Sequence, residues 1–195
     1  MFCYQCNRFS ENVLCSSCAQ ELYSSSFTSL YHHSCPRCTL PILDSAYACT
    51  WCTEQKVSWG VYEGVLARLL AKMKNTNDPP LMHYLAHVLH PLTRGLQIDC
   101  IVPTPASFSG RRRRGYDQMV ILSKILAKDL GCEVHDLLIQ KKRSIEVTGT
   151  KTPLPSKHVV LLDDVYTTGS TTDRCKELLN EHYGIIASVI TLAQS

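Results

Sequence analysis

Residues 159–171, Val-Val-Leu-Leu-Asp-Asp-Val-Tyr-Thr-Thr-Gly-Ser-Thr, restrict the fold of this chain more than any other stretch. The unbroken apolar run at 159–162 reads as a strand buried on both faces, the pattern of a parallel sheet covered on each side by crossovers. Asp163 and Asp164 then fall at its carboxyl end, where open α/β sheets hold their ligands. A hydroxyl- and glycine-rich turn follows, and a helix is expected from about Thr171.

The chemistry of this turn is specific. Thr167, Thr168, Gly169, Ser170 and Thr171 surround an anion with backbone N–H groups and hydroxyls, and the helix behind them adds its positive end. Gly169 permits close backbone approach or a positive φ. Two carboxylates beside a phosphate need partners of another kind, ribose hydroxyls or a hydrated Mg²⁺. Together these parts suit a ribose 5-phosphate. The plainer alternative is a buried strand ending in a capped helix, with Ser170 and Asp173 as a capping box.

At 195 residues the chain suits one medium domain and a small appendage, and its net charge of +3 is too mild to indicate nucleic-acid binding by itself. It holds no run of 18 apolar residues, and its first residues have neither the basic nor the apolar region of a signal peptide. A cytoplasmic protein with no membrane span is expected.

Eight of the 11 cysteines form four Cys-x-x-Cys pairs: Cys3/Cys6, Cys15/Cys18, Cys35/Cys38 and Cys49/Cys52. Each pair is the turn that puts two thiolates on one Zn²⁺, and two turns complete a tetrahedral site. In a reducing compartment metal ligation is a better reading than disulfides, and a thioredoxin-like role would use a single pair on a strand–helix unit. Proximity joins first to second and third to fourth, with a cross-braced pairing as the alternative. Two structural zinc ions are expected, with His32 and His33 as bystanders and Cys100, Cys132 and Cys175 as small buried hydrophobes.

Composition changes near residue 56, which divides the chain into a double zinc ribbon at 1–56 and an α/β domain at 57–195. Leu66, Leu69, Leu70 and Met73 recur at helical spacing, residues 75–80 break that helix, and Leu81, Leu85, Val88, Leu89 and Leu92 mark another. On the second helix His83, His87 and His90 share a face that could bind metal, with a partly solvated face as the better reading. A strand at 98–102 leads to Pro103-Thr104-Pro105, a turn the prolines keep extended. A helix at 116–130 stopped by Gly131, a weaker strand at 134–139 and a polar segment at 141–157 follow. The last unit is the 159–162 strand, a helix to about His182 closed by Gly184, and a strand at 185–192. Alternating strands and helices predict a parallel sheet wound on both faces.

The 163–171 run resembles the signature of type I phosphoribosyltransferases, which bind phosphoribosyl pyrophosphate (PRPP). With the four Cys pairs, Tyr62 and Gly64 before a Lys-bearing helix, Val102-Pro103-Thr104-Pro105 and Arg114-Gly115-Tyr116-Asp117-Gln118, nearly the whole chain resembles the ComF family, also described as GntX-like or amidophosphoribosyltransferase-like. The resemblance implies a type I phosphoribosyltransferase-like parallel sheet flanked by helices, with an amino-terminal double zinc ribbon. Asp163 and Asp164 would then hold the 2′- and 3′-hydroxyls, and residues 167–171 the 5′-phosphate. The Thr104–Pro105 turn would present backbone donors to the pyrophosphate, assisted by Arg114 or its neighbours and by Mg²⁺ bound with PRPP.

The family resemblance further implies a role in DNA uptake during natural transformation, or phosphoribosyl transfer in nucleotide metabolism. Partners implied are single-stranded DNA and a DNA-uptake helicase or other competence protein. Two departures bear on this. The family's Arg-Gly-Phe-Asn-Gln reads Arg-Gly-Tyr-Asp-Gln, and the 141–157 region lacks the longer Gln- and Arg/Asn-containing stretch of relatives, which bears on catalysis more than on PRPP binding. No residue stands out as a catalytic base. The rival reading is a non-catalytic module in which Arg111, Arg112 and Arg113 attract phosphates and Tyr116 stacks a base.

Overall fold

The computed structural model describes residues 1–43, 49–93, 96–107, 115–142, 144–148 and 158–195. Its first third is built around cysteine turns and short elements: α1 (Ser16–Ser24), α2 (Phe27–Leu30), a ladder of β1 (His33–Ser34) with β2 (Pro41–Ile42), and α3 (Thr50–Glu54). The sheet domain follows: β3 (Lys56–Val61), α4 (Gly64–Asn75), α5 (Pro79–Thr93), β4 (Cys100–Pro103) and α6 (Gln118–Leu130). After it come β5 (Glu133–Val134), β6 (Leu138–Gln140), β7 (Ile145–Val147), β8 (Val159–Tyr166), α7 (Ser170–Tyr183) and β9 (Ser188–Gln194).

Five strands form one parallel sheet in the order β3-β9-β8-β4-β5. Successive residues of β8 feed opposite cores, as strand geometry requires. Val160 and Leu162 join α4, α5 and α6 on one face, while Val159 and Leu161 join Cys175, Leu178 and Leu179 of α7 on the other. Both faces are thereby covered, and the α/β fold with a parallel sheet and two amino-terminal four-cysteine clusters is the one the sequence predicts.

Boundaries differ in instructive places. β8 continues past the apolar run to Tyr166, because Asp163, Val165 and Tyr166 pair with Thr191, Ala193 and Gln194 of β9. The carboxylates therefore lie within the strand's last half. The expected strand at 134–139 is two pieces: β5 pairs with β4, and β6 turns into an antiparallel hairpin with β7, inside the segment expected to be irregular. β3, which no sequence pattern marked, pairs along β9.

The amino-terminal third is joined to the sheet domain through its core. Cys3, Val13, Leu14, Cys18 and Leu22 pack in one cluster with Leu66, Leu69, Leu70 and Met73, whereas Cys35, Ile42 and Cys49 form a small cluster of their own. Cys100 and Cys175 are fully buried as expected, and Cys132 is half-buried. On α5, His83 and His87 are exposed and His90 is half-buried, as expected of a solvated face. Among the described residues no helix is long and apolar enough to cross a membrane.

Candidate functional site

The carboxyl ends of β4 and β8 bring Thr104 beside the acidic pair. The register sets Pro103 opposite Leu162, and Thr104 continues the ladder by donating its N–H to the Leu162 carbonyl at 2.9 Å. Its hydroxyl donates to Asp163 Oδ1 at 2.7 Å, and the Asp164 N–H donates to the same oxygen at 2.9 Å. Asp163 is buried, and burial, followed by the adjacent Asp164 charge, pushes its carboxyl up to about 6. These two donors work against that rise.

Asp164 turns the other way. Its Oδ2 lies 2.6 Å from Nζ of Lys74, one residue before the end of α4. Gln118 Nε2 donates to the Lys74 carbonyl at 3.2 Å, which ties the ends of α4 and α6 together. Lys74 is a candidate site residue that the sequence alone did not single out.

Asp163 stands between two hollows. On one side is a cleft of about 240 Å³ lined by Lys74, Thr104, Pro105, Ser107, Gln118 and Asp164 as well as Asp163 itself. On the other is a small depression of about 20 Å³ whose rim includes Thr167, Gly169, Ser170 and Thr171. Gly169 has φ +82°, and the Tyr166 hydroxyl crowds the place where a Cβ would stand. Only a glycine fits that position unstrained. Thr172 anchors the turn by donating to the Gly169 carbonyl at 2.9 Å, leaving Thr167, Thr168, Ser170 and Thr171 at the surface.

Helix α7 begins at Ser170, with Gly169 as its N-cap and no side-chain cap bond, so the Ser170/Asp173 capping box does not form. The Asp173 N–H instead meets the Gly169 carbonyl at 2.8 Å, as an ordinary helical bond. A serine already inside the helix cannot cap it.

At the Pro103–Pro105 turn, the Thr104 N–H is held by Leu162 and the Ala106 N–H by Asp117 Oδ2 at 2.8 Å. These donors are engaged within the protein. Asp117 also caps α6 by accepting from the Met119 N–H at 3.0 Å, a role that suits the carboxylate this chain carries there. Tyr116 is half-buried at the start of that unit. Arg111, Arg112, Arg113 and Arg114 lie outside the described residues.

The cysteine pairs assemble as adjacency predicts. Cys3, Cys6, Cys15 and Cys18 form one cluster and Cys35, Cys38, Cys49 and Cys52 the other, with all ligand atoms of each within 4.8 Å of one another. The cross-braced pairing is overturned, and neither His32 nor His33 belongs to a cluster. Sulfur separations of 3.7 Å for Cys6–Cys15, 3.7 Å for Cys35–Cys52 and 3.5 Å for Cys38–Cys49 are near the roughly 3.8 Å edge of a tetrahedron with Zn–S bonds of about 2.3 Å. The Ser17 hydroxyl draws Cys15 down to about 6, and the Cys38 backbone does the same for Cys35. Burial pushes Cys18 and Cys38 up to about 12. A divalent cation supplies the countercharge that lets all four thiolates of such a set form together.

No family profile matches the chain. Among curated proteins it is 26% identical to competence protein F of Haemophilus influenzae, over 92% of this chain and 90% of that one. It is 27% identical to the DNA utilization protein YhgH of Escherichia coli, over 74% of this chain and 77% of that one. Among solved structures, adenine phosphoribosyltransferase from Thermoanaerobacter pseudethanolicus overlaps 66% of this chain and 84% of its own, at 17% identity and a TM-score of 0.43. Two four-cysteine clusters thus stand ahead of a parallel-sheet domain, and the chain is similar to competence protein F along nine tenths of its length.

Proposed function

We propose that this protein binds PRPP at the Asp163–Asp164 edge and acts in DNA uptake, in the cytoplasm, on or near incoming single-stranded DNA. The observation that carries the reading is the position of Asp163 between the hydroxyl-rich depression and the Lys74-lined cleft. A ribose seated over the acidic pair directs its 5′-phosphate to Thr167, Thr168, Ser170 and Thr171 and its pyrophosphate to Lys74. The carboxylates accept from the 2′- and 3′-hydroxyls, bonds worth about 1.5–3 kcal/mol each when one partner is charged.

The ribose displaces Lys74 from Asp164, and the released ammonium then faces the pyrophosphate. Mg²⁺ suits such an edge, since it keeps several waters and binds through substrate phosphates and few carboxylates; it supplies neutralisation of the leaving group. Two Zn²⁺ ions fill the cysteine clusters as structural ions.

The relatives' names, competence protein F and DNA utilization protein, support the DNA-uptake half of the reading. Single-stranded DNA meets Arg111, Arg112 and Arg113 with Tyr116 beside them, and a DNA-uptake helicase or other competence protein is the expected protein partner. Titrating a labelled oligonucleotide with and without PRPP tests how the halves are joined. Partial displacement of DNA by PRPP is expected, because the arginine run at 111–114 follows the Pro103–Pro105 turn closely in sequence. Failure to bind either ligand would contradict the proposal.

A further inference from the structure

Tyr4 sits between two cysteines of the first cluster, Cys3 and Cys6, yet its side chain leaves that knuckle for the sheet domain. Its hydroxyl donates to both carboxylate oxygens of Asp78, at 3.0 and 2.8 Å, and Nζ of Lys72 lies 3.5 Å from the centre of its ring. These two partners flank the corner between α4 and α5. Lys72 is in the last turn of α4, and Asp78 precedes α5 and accepts from the Leu81 N–H at 3.2 Å. Lys74, the residue that reaches Asp164, lies between them in the chain. On the knuckle's side, the Tyr4 N–H donates to the Val13 carbonyl at 2.9 Å, so the ring's base is fixed by the same turn that presents the thiolates.

We propose that Tyr4 is a positioning residue for the cleft: it clamps the α4–α5 corner to the first cysteine cluster and so fixes the place from which Lys74 meets the pyrophosphate end of the ligand. The first cluster thereby acts on ligand binding, and metal there and anion in the cleft favour one another. This rests on the PRPP reading above for its ligand, but the clamp exists without ligand. Cys35 and Cys49 of the second cluster pack in a small core of their own, with Cys38 also against the main one, and the clamp does not run through them.

Tyr4→Phe keeps the ring, its burial and the Lys72 contact while removing the bond to Asp78, and Asp78→Asn weakens the same bond from the other side. Both should retain two zinc ions by elemental analysis. Calorimetry should then show PRPP affinity lowered about tenfold, within the usual range of coupling between sites, with ribose 5-phosphate, which has no pyrophosphate, unchanged. Hydrogen exchange at residues 74–81 should quicken in both variants with no ligand present.

Equal loss for both ligands would mean general loosening and would overturn the positioning role. Unchanged PRPP affinity together with unchanged exchange would overturn it as well. If the wild-type protein bound neither ligand, the reading of the cleft would fail, and the exchange measurement alone would decide for or against Tyr4.

Discussion

The Thr104 hydroxyl donates to Asp163 at 2.7 Å across the carboxyl ends of β4 and β8, and the bond holds a buried carboxylate at the one point shared by both hollows. Burial still wins over that donor, and Asp163 titrates near 6 instead of its ordinary 3.8. Between those values the folded chain holds more protons than the unfolded one. The carboxyl's contribution to stability is therefore present at the acid end and is lost as pH rises through about 6.

Asp163→Asn, which imitates the protonated form, should be more thermally stable than the wild type near about pH 7 and should lose that advantage on acidification to about pH 4. Melting curves across this interval check it. An advantage that does not change with pH would mean Asp163 is ionised throughout.

The two metal clusters should differ in what their loss does. Cys3 and Cys18 lie in the main core with Leu66 and Met73, whereas Cys35 and Cys49 lie in a separate cluster. Elemental analysis should find two zinc ions in the wild type and one in Cys35→Ser, with the circular dichroism of the sheet domain kept. Cys3→Ser should melt cooperatively at a much lower temperature, because a structural zinc supplies on the order of 10 kcal/mol of folding free energy. A wild-type protein with one zinc or none would contradict both expectations.

Replacing Arg111, Arg112, Arg113 and Arg114 with Ala should weaken single-stranded DNA binding across sequences alike. The logarithmic salt slope should shrink by about 0.7 for each DNA phosphate that is no longer neutralised. Filter binding at several salt concentrations measures both. Retention of affinity and slope would mean that the arginines serve pyrophosphate or are merely solvated.

The 159–171 run was legible because strand, carboxylates and turn are contiguous and each carries its own chemical sign. Lys74 was not: its pairing with Asp164 is made only by folding, and in the chain it reads as any lysine at a helix end. Strand β3 was hidden for a related reason. Ser58 and Gly60 spoil its apolar pattern, yet Ser58 is buried on a 2.7 Å bond to Thr191. A Cβ at Gly60 would lie 2.5 Å from the Ser25 carbonyl oxygen, so the glycine is required by how closely the amino-terminal third approaches. The hairpin of β6 and β7 comes from pairing between two three-residue strands, too short for any periodicity to declare. The cysteine pairing was legible because spacing and valence leave few choices.

Calorimetric titration of the zinc-loaded protein with PRPP and Mg²⁺ tests the central claim most directly. Binding at one site per chain is predicted, with affinity falling at least about tenfold in Asp163→Asn combined with Asp164→Asn, since each charged acceptor contributes about 1.5–3 kcal/mol. No heat of binding in the wild type, or equal affinity in the double variant, would contradict it.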